Sequence, residues 1–270
     1  MKNKLILCVV GVALLSFIGP GCKNEIPEPP NIKEMITSDF VFITSTQVAE
    51  HTLSLYADEQ LKVGYNQLYM IMEDQDEKLI TDFEINSIRP MMDMGNMEHS
   101  TPIEPVSKDS YRAQVGIVFI MPSTAGDWRI DLGLSVGNQN YEETLTFDVE
   151  ASDPTRLLSF VDSISSISYF IALVEPRLPE VGENDFILGI YQRESMMSFP
   201  QADDLSVEIE PWMPSMSHGS TNNVNPTQKE DGLYHGVVNY SMAGDWEVRL
   251  VILNNSGDTL AQDLSFEFLL

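Results

Sequence analysis

Short apolar stretches separated by turn residues follow one another from residue 39 onwards. Several of these stretches alternate apolar and polar side chains with a period of two, which is typical of half-buried β-strands, and none shows a helical stripe over a dozen residues. We predict about seven strands in each half, at 40–44, 52–56, 68–72, 83–89, 111–120, 128–136 and 141–149, and at 158–161, 167–174, 186–192, 205–210, 234–240, 246–253 and 264–270. This number and spacing predict an all-β chain with two tandem immunoglobulin-like β-sandwich domains.

Sequence markers repeat at a fixed distance and relate the two halves. A Val-Gly-x-Asn stretch at 63–66 returns at 181–184, and Ala-Gly-Asp-Trp at 125–128 returns at 243–246, both after 118 residues. Such a period exceeds the length of a solenoid unit and indicates that a whole domain was duplicated. The predicted domains are 39–150 and 158–270, with a linker at 151–157.

The N-terminal residues predict export. Lys2 and Lys4 precede an apolar run at 5–18 that is too short to cross a bilayer, and small residues follow it, so 1–21 is predicted to be a signal peptide. Because Cys22 comes directly after the small residues, the segment resembles a bacterial lipoprotein signal, in which this cysteine receives the lipid. We therefore expect a protein anchored in the bacterial cell envelope, at the outer membrane. Residues 22–38 contain three prolines and predict an extended, semi-rigid tether.

Charge limits the possible partners of the chain, and cysteine content limits its possible disulfides. The chain has 41 acidic and 15 basic residues and a net charge of −26; loss of Lys2 and Lys4 with the signal leaves a net charge of −28. This excess of negative charge repels phosphate backbones and excludes nucleic acid as a partner. Cys8 also leaves with the signal, and the lipid would occupy Cys22, so no disulfide is expected in the exported protein.

A hexapeptide of the form Met-x-x-Met-x-His occurs once in each half. Its candidate metal ligands are Met94, Met97 and His99 in the first copy and Met213, Met216 and His218 in the second. Thioethers and imidazole are soft or borderline ligands that suit copper(I) and need no thiol. A regular strand would turn the first methionine away from the other two donors, so binding by all three requires a turn. Gly95-Asn96 and Pro214-Ser215 are suitable turn residues.

Further methionines are interpreted by their position. Met91 and Met92 directly precede the first hexapeptide and are additional candidate ligands, which predicts tighter binding by the first domain. Met196 and Met197 follow a predicted strand and are interpreted as packing residues. The methionines of both hexapeptides have the same alternative interpretation as packing residues, because methionine readily fills irregular gaps in a core.

The markers also carry a family resemblance. A Val-Gly-x-Asn stretch, a strand, a segment rich in Pro, Met and His, another strand and then Ala-Gly-Asp-Trp resemble the YtkA-like/FixH-like domain, twice, over 40–150 and 158–270. The resemblance implies an immunoglobulin-like sandwich in an envelope protein and an association with copper handling and respiratory-oxidase assembly. FixH-type proteins carry a membrane helix, whereas this chain has a lipoprotein-like signal in its place.

Two functions from different classes follow from these observations. The first is an envelope lipoprotein that binds or hands on copper(I) through its Met/His loops. The alternative is a non-catalytic interaction or scaffold lipoprotein whose Met/His loops are structural and which contacts another envelope protein. An enzyme is not predicted, because the sequence lacks a nucleophile elbow, a His-Glu-x-x-His motif and a phosphate-binding loop.

Overall fold

The computed structural model describes residues 32–270, so the predicted signal peptide and Cys22 lie outside the described residues. The described part begins with a six-residue helix, α1 (Ile32–Thr37), where an extended tether was predicted up to residue 38. All the tether prolines precede residue 31, so none blocks a helical turn there, and Lys33 forms an ion pair of 2.8 Å with Glu73. Within residues 32–270 no helix is long and apolar enough to cross a membrane.

The first half of the described chain forms two antiparallel sheets. Its strands are β1 (Val41–Val48), β2 (His51–Ala57), β3 (Gly64–Glu73), β4 (Phe83–Asp93), β5 (Glu98–His99), β6 (Ser107–Lys108), β7 (Arg112–Phe119), β8 (Asp127–Val136) and β9 (Gln139–Phe147). One sheet has the order β1-β2-β3-β7-β6 and the other β5-β4-β8-β9. A 3₁₀ turn at Ser123–Ala125 leads into β8.

The second half repeats this arrangement strand for strand. Its strands are β10 (Leu157–Val161), β11 (Ser168–Glu175), β12 (Gly182–Arg193), β13 (Ser206–Met213), β14 (His218–Gly219), β15 (Val224–Gln228), β16 (Tyr234–Tyr240), β17 (Asp245–Leu253) and β18 (Thr259–Leu269). The sheet orders are β10-β11-β12-β16-β15 and β14-β13-β17-β18, which correspond one to one with those of the first half. The predicted all-β class with tandem β-sandwiches is confirmed.

Each sandwich buries a separate core around one tryptophan. Trp128 lies against Phe119, with ring centroids 5.0 Å apart, and Trp246 lies against Tyr240, with centroids 5.6 Å apart. Both indoles are almost fully buried, as expected for the residue that follows each Gly-Asp turn into a strand.

The two sandwiches also touch each other. Val118 of the first half packs with Ala172 and Tyr191 of the second in a small buried apolar cluster. At the surface, Arg177 of the second half forms an ion pair with Asp58 of the first. These contacts make residues 32–270 one compact unit.

Candidate metal site

The first hexapeptide folds into a tight hairpin between β4 and β5. Met92 pairs with His99 across the two strands, and the Met94 amide donates to the Met97 carbonyl at 2.9 Å. The register therefore continues to a Met94–Met97 pair and leaves Gly95-Asn96 as the turn. Cross-strand partners project to the same face, and positions two apart in one strand share that face. Three thioethers and one imidazole consequently lie on a single face of the hairpin.

This donor face points into the end of the first sandwich. Met92 lies opposite Trp128 of β8 and is fully buried in the core. Met94 is half-buried against the same core, and Met97, at the turn, is 47% exposed. Met91 precedes Met92 in the strand and projects to the other face of β4, so the structure does not bring it together with these donors.

His99 has one nitrogen fixed and the other unpaired. Its Nδ1 lies 2.7 Å from the Ser100 carbonyl oxygen, which can only accept, so Nδ1 carries the proton and donates it. The side chain is 3% exposed, and Nε2 is buried with no hydrogen-bond partner. Buried polar atoms in native proteins nearly always have a partner. An Nε2 lone pair left unpaired, with Nδ1–H bound to a backbone carbonyl, is the arrangement of a histidine that ligates a metal.

Ser100 holds the end of β5 in place. Besides accepting from His99 through its carbonyl, it donates its hydroxyl to the Pro90 carbonyl at 2.9 Å. Its amide donates to the Met196 carbonyl of the second sandwich at 2.8 Å. The imidazole itself lies edge-on to Trp128, with centroids 5.7 Å apart and an interplanar angle of 87°. His99 is therefore fixed both by its backbone and by its ring.

The second hexapeptide forms a similar hairpin with a different loop. Met213 pairs with His218, and a four-residue loop at 214–217 turns back on the Met213 carbonyl, which accepts from Met216 and Ser217 at 3.3 and 2.8 Å. His218 lies edge-on to Trp246 at 5.8 Å and 82°, which repeats the contact of the first sandwich. Met213 is 4% exposed and Met216 is 58% exposed.

The two hairpins differ in which methionine pairs with the histidine across the strands. Trp212 pairs with Glu247, so one further step of the same register places Met213 opposite Trp246. Met213 is therefore the counterpart of Met92, and the first hairpin is two residues longer. The first hairpin contains three methionines with its histidine, and the second contains two.

Metal sites built from harder ligands are absent from the part of the chain that the structure describes. Between residues 32 and 270, no three His, Cys, Asp or Glu side chains form a group that could hold a metal ion. Of the other histidines, His235 forms a bond of 2.8 Å from Nε2 to Asp231. The two Met/His hairpins are thus the candidate sites.

The sequence did not predict that a second pair of exposed methionines lies near His99. Met196 and Met197, whose place after a strand predicts packing residues, lie at a turn and are 37% and 52% exposed. The interdomain hydrogen bond from Ser100 places this turn next to His99. No local sequence signal links residues almost a hundred positions apart.

A comparison with protein-family models finds a similarity in the second sandwich. The model of the YtkA-like family matches residues 166–251, which cover most of that sandwich. No curated protein matches the chain.

Solved structures show only a general likeness. The Escherichia coli adhesin FdeC is 13% identical with a TM-score of 0.26, over 84% of this chain and 65% of that one. A DUF4785 family protein from Legionella pneumophila is 8% identical with a TM-score of 0.28, over 83% of this chain and 57% of that one. The chain therefore spans less than two thirds of either structure's length.

Proposed function

We propose that the chain is a cell-envelope lipoprotein that binds or hands on copper(I) through its two Met/His hairpins. One observation carries the proposal: the hairpin of β4 and β5 presents three thioethers beside a buried imidazole whose Nε2 has no hydrogen-bond partner. An unpaired buried nitrogen costs free energy unless something binds to it. A metal ion that accepts its lone pair removes that cost.

The donor set favours copper(I) over other metals. Methionine sulfur and neutral imidazole match a soft monovalent ion that accepts two to four ligands. Cations that prefer carboxylates would need a cluster of harder ligands, and residues 32–270 contain no such group of three. Neither donor has to lose a proton, and neither forms disulfides, so the set suits an oxidising envelope. The Ser100 carbonyl keeps the proton on Nδ1 of His99 and leaves Nε2 as the ligand atom.

Exposure of the methionines supports exchange with a partner. Met97 and Met216 extend into solvent at the two hairpin turns, whereas Met92 and Met213 lie beneath in the cores. The exposed thioethers would meet an incoming or outgoing ion first, and the imidazole and inner thioethers would hold it. The strong negative charge of the chain raises the local concentration of cations.

The family match and the N-terminal sequence support the cellular setting. The YtkA-like match at 166–251, together with the equal strand orders of the two halves, supports two YtkA-like, immunoglobulin-like domains. The resemblance implies an association with copper handling in the envelope. The signal at 1–21 would direct export, and a lipid on Cys22 would attach the mature chain to the membrane, with residues 22–31 and α1 leading to the first sandwich.

A titration with copper(I) under anaerobic, reducing conditions tests the proposal. We expect about two ions per chain, with the first site tighter because it has one more thioether. The variant M97L/H99Q should bind about one. The control M91L/H235Q also removes one methionine and one histidine, but Met91 faces away from the donors and His235 lies outside both hairpins, so it should still bind two. Stoichiometry that is unchanged in M97L/H99Q would refute the first site.

The alternative function has one observation in its favour. Met213 is buried in the core of the second sandwich, as expected of a methionine that fills space. If the chain binds no copper(I), an interaction or scaffold lipoprotein with structural Met/His loops is the function that remains. Loss of thermal stability in M97L/H99Q without any metal uptake by the parent chain would support that alternative.

A further inference from the structure

A turn of the second sandwich lies against the Met/His hairpin of the first sandwich. The amides of Glu194 and Ser195 donate to the Ser198 carbonyl at 3.1 and 3.3 Å, which closes a tight turn with Met196 and Met197 at its tip. The Ser195 hydroxyl accepts from the Met197 amide at 3.1 Å and stiffens the tip. Hydrogen bonds therefore hold the backbone that carries the two thioethers of this turn.

The turn is attached to the residue that follows His99. The Ser100 amide donates a hydrogen bond to the Met196 carbonyl, and the Ser100 carbonyl accepts a hydrogen bond from Nδ1–H of His99. Strand β5 is the edge strand of its sheet, so the turn approaches from the side that β4 leaves free. Met97 lies only three residues before Ser100, about 10 Å along an extended strand. The backbone of the Met196–Met197 turn is thus one hydrogen bond away from the residue that follows His99.

Packing does not explain these two methionines. Both are substantially exposed, and neither belongs to the core of the second sandwich or to the residues packed against it. The corresponding connection in the first sandwich, residues 74–82 between β3 and β4, contains no methionine. The duplicated fold therefore does not require thioethers at this place.

We propose that the copper(I) site around His99 is shared between the sandwiches, with the Met196–Met197 turn supplying thioether sulfur to it. This inference rests on the proposed function. A copper(I) ion held in this way would bridge the first and second sandwiches, so its binding would depend on residues from both.

A competition titration tests the shared site in the full chain. The parent is M216L/H218Q, which retains only the first site, and an anaerobic colorimetric chelator competes for copper(I). In this parent, M196L/M197L should weaken affinity about tenfold or more, the scale expected when part of a metal environment is lost. X-ray absorption should show fewer sulfur ligands. Leucine keeps the Met196 carbonyl, so unfolding temperature should match that of the parent.

The control removes two other exposed methionines, as M35L/M242L, and should leave affinity and sulfur number unchanged. If M196L/M197L behaves like this control while M97L weakens binding, the first sandwich binds copper(I) alone; the shared site is then wrong and the proposed function stands. If the parent binds no copper(I) and the wild type binds none, the proposed function fails and the shared site fails with it.

Discussion

The methyl carbon of Met213 lies 1.9 Å from the position that a β-carbon on Gly244 would take, which is too close for both atoms to fit. The first sandwich repeats the relationship, since a β-carbon on Gly126 would lie 3.2 Å from Cγ of Met94 and would also meet the Asp93 carbonyl. The glycine of each Ala-Gly-Asp-Trp marker thus lies against the Met/His hairpin, next to the Met213 side chain in the second sandwich and next to the Asp93 carbonyl and Met94 in the first. The histidine of each hairpin also contacts the tryptophan of the same marker. The hexapeptide and the Ala-Gly-Asp-Trp marker are therefore structurally coupled in both halves.

Gly244→Ala should lower the free energy of unfolding of the second sandwich, because the new methyl overpacks against buried Met213. The expected loss is about 1–3 kcal/mol, the range for overpacking in a core. Urea unfolding followed by tryptophan fluorescence measures it. Gly182→Ala is the control: its φ of +108° is also positive, as is the +149° of Gly244, but no atom lies within 4 Å of its β-carbon. Equal losses in both variants would refute the role of Met213.

Glu104 should make the stability of the chain fall as pH rises. Burial raises the pKa of its carboxyl above the usual value of 4.5, against the hydrogen bond from Tyr65, which lowers it; negative charge on Asp231 adds to the rise. The folded state keeps this proton to a higher pH than the unfolded state does. The contribution of Glu104 to the free energy of unfolding therefore falls from pH 4.5 up to its pKa in the folded state.

Glu104→Gln removes this titration. The difference in unfolding free energy between wild type and variant, measured from pH 4 to pH 8, should move in favour of the variant as pH rises. Tyr65→Phe removes the hydrogen bond to the ionised carboxylate, so it should raise the pKa of Glu104 further and extend the pH interval upwards. A difference that is independent of pH would contradict the prediction.

Tyr191 should couple the unfolding of the two sandwiches. Its fully buried ring packs with Val118 and Ala172 at their contact, so Tyr191→Ala should cost about 3–5 kcal/mol, as large-to-small changes of aromatic residues do. We expect calorimetry to resolve one transition for the wild type and two for the variant. Tyr191→Phe keeps the ring and should retain a single transition. One transition in Tyr191→Ala would mean that other contacts couple the sandwiches.

Cys22→Ser should release the protein from membranes. The prediction follows from the charged and apolar residues before Cys22, which resemble a lipoprotein signal. Fractionation of cells that express the variant should move the chain from the membrane fraction to the soluble envelope fraction. Membrane attachment that is unchanged would exclude lipid attachment at this cysteine.

The sequence predicts the long strands better than the short ones. Alternation in stretches such as 128–136 reflects burial of one face and identified β8 nearly residue for residue. Strands of two residues, such as β5 and β14, contain no period to detect. They form because the chain turns back on β4 and β13, and hydrogen bonding across a hairpin determines them.

The candidate site was predictable in its residue types and less so in its pairing. Equal spacing in the two hexapeptides equates Met94 with Met213, whereas strand register equates Met92 with Met213. Spacing cannot show this, because register depends on how many residues the turn uses. The approach of Met196 to Ser100 depends on docking of two separate sandwiches, which no local pattern contains.

The different lengths of the two hairpin turns have an evolutionary consequence. The contact between histidine and tryptophan survives in both sandwiches although one turn is two residues longer. Insertions and deletions at the tip can therefore add or remove a sulfur donor without disturbing the strands below. After a gene duplication, the two copies would be free to diverge in ion affinity through small changes at one surface position, while selection on the fold acts elsewhere.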